Sequence, residues 1–235
     1  MRLIALLALL IVTAALMMPN ATRAQVRTPL RVAFLGDSLT LGLSASTEDR
    51  TYREIFLRRL SAESGRTVLP VVVDPFGMTD DALRRLPPLL AFQPDLVIVE
   101  LGNHEVFAGS AQIDLLSQRY DQVLVEIERT GATVIAGTTA WLNYPAGSRL
   151  YSDALRVNEI IRRLCAARGI AIAELWGATV VRGDFISSES DPSFYPPFRG
   201  DDLHPNDAGH LALADTFWSA FLRDRARRVL TALAP

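Results

Sequence analysis

The residues with the chemistry to attack a substrate lie near opposite ends of the chain. Near the start, an apolar run breaks off at Gly36-Asp37-Ser38, in Val32-Ala33-Phe34-Leu35-Gly36-Asp37-Ser38-Leu39-Thr40. Near the end, Asp201 stands three residues before His204, in Asp201-Asp202-Leu203-His204-Pro205-Asn206. A serine hydroxyl is a weak nucleophile until a base takes its proton. An imidazole can be that base when an aspartate holds its Nδ1–H, which fixes the tautomer and leaves Nε2 free. Each segment alone has a plainer explanation. A serine after a strand can open a turn or cap a helix. Pro205 fixes the chain after His204, and Asn206 or Asp207 can cap a following helix, with Asp201 and Asp202 as ordinary loop acids.

Other chemistries fare worse. The histidines are only three, His104, His204 and His210, and they show no metal-ligand spacing. With one cysteine as well, a zinc site is not expected. His210 falls in the last helical pattern and reads as a surface or packing residue. Cys165 lies on the apolar side of Asn158-Glu159-Ile160-Ile161-Arg162-Arg163-Leu164-Cys165 and has no partner for an internal disulfide, so an inert buried thiol is expected. The glycines after the first apolar run do not spell a dinucleotide or phosphate-loop fingerprint. A formal charge of -2 gives no basic face, so nucleic acid is not an expected partner. No cofactor is expected.

The elements that must bring Ser38 and His204 together follow from the pattern of apolar runs. Residues 31–36, 67–73, 95–101, 133–139 and 170–175 are Val- and Ile-rich and apolar at consecutive positions, as strands buried on both faces are. Amphipathic stretches at about 52–64, 79–91, 113–130, 150–168 and 206–232 predict the helices between and after them. This alternation predicts an α/β domain with a parallel sheet and right-handed crossovers. Sites in such sheets form at the carboxyl ends of the strands. That rim would gather Ser38, Gly102 and the neighbourhood of Thr138, with Asp201 and His204 reaching it from the last helix. The one long irregular segment, about 177–205, is rich in Ser, Pro and Asp. Trp141, Tyr144, Phe194, Tyr195 and Phe198 fall in loops of the same rim and could line an acyl or aryl pocket, or simply plug the core.

Residues 1–24 stand apart from this pattern. A basic start, Met1-Arg2, is followed by the uncharged apolar run Leu3–Met18, then Pro19, then small residues before a cut after Ala24. This is the layout of a secretory signal peptide. An uncleaved anchor is the alternative, but a run of roughly 16 residues is short of the ~20 a spanning helix needs. The expectation is therefore a cleaved signal, 1–24, and a single domain, 25–235, working in the periplasm or outside the cell, with no stable membrane span.

Taken together, the blocks resemble the SGNH hydrolases, also called GDSL esterases and lipases. Gly36-Asp37-Ser38-Leu39 matches that family's first block, Phe76-Gly77-Met78-Thr79 places the glycine of the second, Glu100-Leu101-Gly102-Asn103-His104-Glu105 falls at the third, and Asp201-Asp202-Leu203-His204-Pro205-Asn206 matches the last. The likeness covers essentially the whole chain after residue 24. It is nearest in look to the small bacterial periplasmic thioesterase, lysophospholipase and arylesterase branch, through Gly77–Leu90 and the following Pro94–Gly102. The resemblance implies a three-layer, flavodoxin-like fold with a five-stranded parallel sheet of order 2-1-3-4-5, acting as a monomer. It implies Ser38 as nucleophile, His204 as general base and then acid, and Asp201 as the residue that orients His204. The backbone N–H groups of Ser38 and Gly77 would donate to the oxyanion of the tetrahedral intermediate. The substrate would be a small-molecule ester or lipid: a lysophospholipid, an acyl thioester, or an aryl or short-chain ester.

One block departs from the family. The third block there reads Gly-Gly-Asn-Asp, with the asparagine side chain as third oxyanion donor. Without a gap, this chain puts Asn103 one place early, His104 at the asparagine's place and Glu105 at the aspartate's. In an extended segment neighbouring side chains point opposite ways, so either Asn103 or His104 would face the site. The departure also leaves room for a lipid- or carbohydrate-binding domain that has lost turnover; within the enzyme class, a carbohydrate acetylesterase of the same fold is the alternative.

Overall fold

The computed structural model describes residues 28–73, 77–179 and 203–233. Five apolar runs form the expected strands: β1 (Leu30–Gly36), β2 (Val68–Val73), β3 (Leu96–Glu100), β4 (Thr133–Gly137) and β5 (Ala171–Ala173). All neighbours pair in parallel, in the order β2-β1-β3-β4-β5. The central strands are the most apolar for a physical reason. Both faces of β1 and β3 are covered, and Val32–Leu35 and Val97–Val99 are entirely shielded from solvent.

The helices are α1 (Ser38–Leu41), α2 (Tyr52–Ser64), α3 (Thr79–Ala91), α4 (Asn103–Ala108), α5 (Ser110–Glu128), α6 (Arg149–Arg168), α7 (Leu175–Thr179) and α8 (Asp207–Leu233). The long ones carry local start and stop signals. Thr51 accepts a hydrogen bond from Glu54 N and opens α2, and Ser148 accepts one from Tyr151 N and opens α6. Gly65 and Gly169, both left-handed, end the same two helices. Helix α2 packs on α8, while α3 packs on α5 and α5 on α6, so helices flank both faces of the sheet.

An aromatic cluster ties the two ends of the chain together. Phe34 of β1 meets Tyr52 and Phe56 of α2 edge-on, at 6.1 and 6.3 Å. Tyr52 stacks on Phe217 of α8 at 5.3 Å, and Phe56 meets Trp218 at 5.6 Å. Rings in these arrangements add to plain apolar burial. The cluster fixes α8, and hence the segment entering it, against the strand that leads to Ser38.

Short elements depart from the pattern read in the sequence. Residues 103–108 are helical, where an extended segment was expected. Helix α5 starts at Ser110 rather than near 113, and α7 occupies the start of the expected long loop. The rest of that loop, residues 180–202, and residues 1–24 lie outside the described residues. Among the described residues, no helix is long and apolar enough to cross a membrane.

Candidate active site

Ser38 is positioned by the turn that follows β1. Asp37 caps α1, its Oδ1 accepting from Leu39 N at 3.0 Å and its carbonyl from Leu41 N at 3.0 Å. Position 36 must be glycine. A Cβ there would lie 2.0 Å from Thr40 Oγ1 and 2.7 Å from the Glu100 carbonyl, because α1 turns back tightly over the end of β3. Ser38 is thereby held at the carboxyl end of the sheet, only partly buried.

His204 reaches it from the other end of the chain. Its Nε2 lies 2.8 Å from Ser38 Oγ. The approach is fixed by two anchors on the entry to α8. Asn206 caps the helix, accepting from Gly209 N at 3.0 Å through its side chain. Asp207 accepts from Ser46 N at 2.8 Å and from Ser46 Oγ at 2.6 Å, which clasps the loop after α1 to the start of α8. Asp201 lies outside the described residues.

Beneath Ser38 is a buried polar network. Asn103 donates from Nδ2 to Asp37 Oδ2 at 3.0 Å and to Glu100 Oε1 at 2.7 Å. Thr40 Oγ1 donates to Glu100 Oε2 at 3.3 Å and shares a 2.7 Å hydrogen bond with Tyr52 Oη. Burial first, and the adjacent Asp37 carboxylate second, push the Glu100 carboxyl well above its ordinary range. The Asn103 amide bridges the two carboxyl groups, so Glu100 gains a proton more readily than an exposed carboxyl does. The sequence analysis did not single out Glu100; an acidic residue closing an otherwise apolar strand was the available signal.

Gly77 precedes α3 and fits its place through close approach. A Cβ there would fall 2.2 Å from Asp81 Oδ2, the oxygen that accepts from Met78 N at 3.0 Å. Glu105, fully buried, accepts from Thr79 N at 2.7 Å through Oε1. Burial raises its proton affinity, and the Thr79 amide opposes that rise. The third block thus anchors the second.

Asn103 and His104 are the first two residues of α4, so their side chains diverge by about 100° rather than pointing opposite ways. Both border the cavity that contains Ser38 and His204, but Asn103 is buried with its amide turned into the carboxyl network. His104 is half-buried, and its imidazole makes no hydrogen bond among the described residues.

This cavity, about 500 Å³, is walled by Leu41, Leu43, Phe107, Leu142 and Leu203. The sequence analysis missed these residues, although Leu41 and Leu43 alternate after Ser38 and Leu203 precedes His204. Of the loop aromatics read as pocket lining or core plugs, Trp141 and Tyr144 take the second part. Trp141 donates from Nε1 to the Tyr144 carbonyl at 2.9 Å, and Tyr144 is buried between Phe107 and Trp176. Both are packing residues, while Phe194, Tyr195 and Phe198 lie outside the described residues. Thr138 is also a packing residue, bonded through Oγ1 to Trp176 N at 3.0 Å. His210 is fully buried, stacked near Tyr52. Cys165 is buried and its thiol pushed up to about 12, chiefly by burial, so it is inert. A separate cavity of about 420 Å³ at the opposite end of the strands, beside Leu30, Glu63 and Arg66, has no part in this chemistry.

The fold recurs in solved structures of low sequence identity. An acetyl xylan esterase, AlAXEase, superposes with a TM-score of 0.64 at 19% identity, over 81% of this chain and 99% of that one. The lipase Lip_vut3 from a goat rumen metagenome gives 0.66 at 16% identity, over 81% and 97%. The protein TesA gives 0.60 at 21% identity, over 81% and 97%. No curated protein sequence matches the chain. The model of the GDSL-like lipase/acylhydrolase family matches residues 34–212, from the middle of β1 into α8. The chain belongs to that family, the GDSL-type or SGNH hydrolases, and is a carboxylic ester hydrolase.

Proposed function

We propose that the protein is an exported serine esterase that cleaves esters of apolar acyl groups larger than acetyl through an acyl-enzyme. One observation carries this reading: the 2.8 Å approach of His204 Nε2 to Ser38 Oγ beside a cavity walled by leucines and Phe107. His204 Nε2 takes the Ser38 proton as Oγ bonds to the ester carbonyl carbon, and the carbonyl electron pair moves onto oxygen. The tetrahedral oxyanion collapses, the C–O bond to the alcohol breaks, and the proton on His204 goes to the leaving oxygen. Water then attacks the acyl-enzyme, giving its proton to His204, and the acid leaves as Ser38 recovers its hydrogen. Asp201, three residues before His204, has the role of holding Nδ1–H. Amide N–H groups at Ser38 and Gly77 stabilise the oxyanion; the first amides of a helix have no intrahelical acceptor, which suits the Ser38 N–H to this task. Export rests on the signal-like pattern of residues 1–24.

The test is hydrolysis of p-nitrophenyl esters from acetyl to decanoyl by residues 25–235. Each methylene buried in the cavity contributes about 0.8 kcal/mol, roughly fourfold in kcat/KM, until the cavity is full. The expected result is therefore a rise from acetyl through the medium chain lengths and loss of activity in Ser38→Ala. Highest efficiency on acetyl esters would instead favour a carbohydrate acetylesterase, and wild-type rates in Ser38→Ala would overturn the mechanism.

A further inference from the structure

We propose that His104, and not Asn103, supplies the side-chain N–H that binds the oxyanion formed at Ser38. The proposal rests on Ser38 and His204 being nucleophile and base. Donor supply separates the two residues. A carboxamide has two N–H bonds. Both of Asn103's are engaged below the site, by Asp37 at 3.0 Å and Glu100 at 2.7 Å. Releasing either would leave a buried acceptor without its donor. The network beneath Ser38 therefore holds Asn103 as a positioning residue.

His104 is differently placed. Beside His204, it is the other imidazole on the cavity. It is half-buried, and among the described residues its ring makes no hydrogen bond that would occupy its N–H. Its neighbours hold it still: Asn103 is fixed to the carboxyl pair, and Glu105 is fixed to Thr79 N at 2.7 Å. A donor with both flanks anchored needs little reorganisation when charge develops, which is what stabilises an oxyanion. The same Glu105 contact ties the turn carrying Gly77 to α4, so the backbone donor and the imidazole share one support.

The experiment compares wild type, Ser38→Ala, His104→Phe, His104→Asn and His104→Gln on p-nitrophenyl hexanoate. The phenyl ring keeps the bulk of imidazole and has no N–H. It is expected to lower kcat by about 100-fold or more, with KM changed by less than about threefold, as for a contact made only in the transition state. Affinity for a pentyl trifluoromethyl ketone, which forms a tetrahedral adduct with the serine, should fall in parallel, while inhibition by hexanoate is unchanged. Asn or Gln should restore part of the rate, because each returns an N–H donor. A His104→Phe rate within threefold of wild type, in an enzyme that Ser38→Ala inactivates, overturns the donor role alone. Full activity in Ser38→Ala overturns the site and the donor role with it. Should the Phe variant lack a cooperative melt, His104→Leu and His104→Gln decide: Gln faster by about tenfold is expected, and equal rates overturn the proposal.

Discussion

Glu100 and Asp37 place two buried carboxyl groups on one asparagine amide, and the raised Glu100 carboxyl has a consequence for stability. The folded chain holds a proton there more tightly than an unfolded chain does, because burial and then Asp37 raise the Glu100 carboxyl. Its contribution to stability is complete in acid, below the unfolded carboxyl range. It is lost as pH rises through the folded value. Glu100→Gln keeps the hydrogen-bonding shape without a titrating proton. In urea unfolding followed from the ordinary carboxyl range upward, the variant should therefore lose less stability than wild type as pH increases. Parallel curves for the two proteins would contradict a raised Glu100 carboxyl. The meeting of Ser38 with His204 was legible, because Gly36-Asp37-Ser38 and the Asp201-to-His204 spacing imply a paired chemistry. The different placement of Asn103 and His104 was not legible, because it depends on a six-residue helix too short to show a period and on a buried acceptor pair that no local pattern announces.

Among the elements, the joint between the loop after α1 and the start of α8 decides how well Ser38 and His204 align. Asp207 makes two hydrogen bonds to Ser46, and bonds to a charged group contribute about 1.5–3 kcal/mol each. Asp207→Ala should lower the melting temperature by several degrees and kcat by about tenfold, with Ser46→Ala giving a smaller loss because the Ser46 N–H remains. Thermal melts and steady-state kinetics check both; an Asp207→Ala enzyme with wild-type kcat would mean that His204 is held by other contacts. The strands and the long helices were readable from their apolar pattern; α2 and α3 fall where the pattern put them despite Pro87 and Pro88 inside α3. Single-turn elements such as α1, α4 and α7 were not, since tertiary packing rather than periodicity forms them.

For the molecule as a whole, His210 sets the acid limit. It donates from Nε2 to the Leu43 carbonyl at 3.1 Å, while Nδ1 faces Tyr52 N at 3.4 Å as an acceptor. A proton on Nδ1 would set two N–H groups against each other. Burial lowers this histidine from 6.5 to about 4. The unfolded chain takes up that proton first, so stability present above about pH 6.5 is lost as pH falls toward 4. The loss is on the order of 3 kcal/mol, at about 1.4 kcal/mol per pH unit. His210→Gln should start less stable at pH 7 and fall less steeply in acid, as urea unfolding at the two ends of that range would show. The α/β class was legible from the alternation of runs, whereas the leucine-walled cavity was not, because its walls come from four separate segments of the chain. The pairing of Ser38 with His204 spans 166 positions. A chain still being synthesised carries Ser38 outside the ribosome long before His204 has been made. If the two act as proposed, hydrolysis begins only when nearly the whole chain has emerged, and a product truncated ahead of His204 is silent rather than indiscriminate.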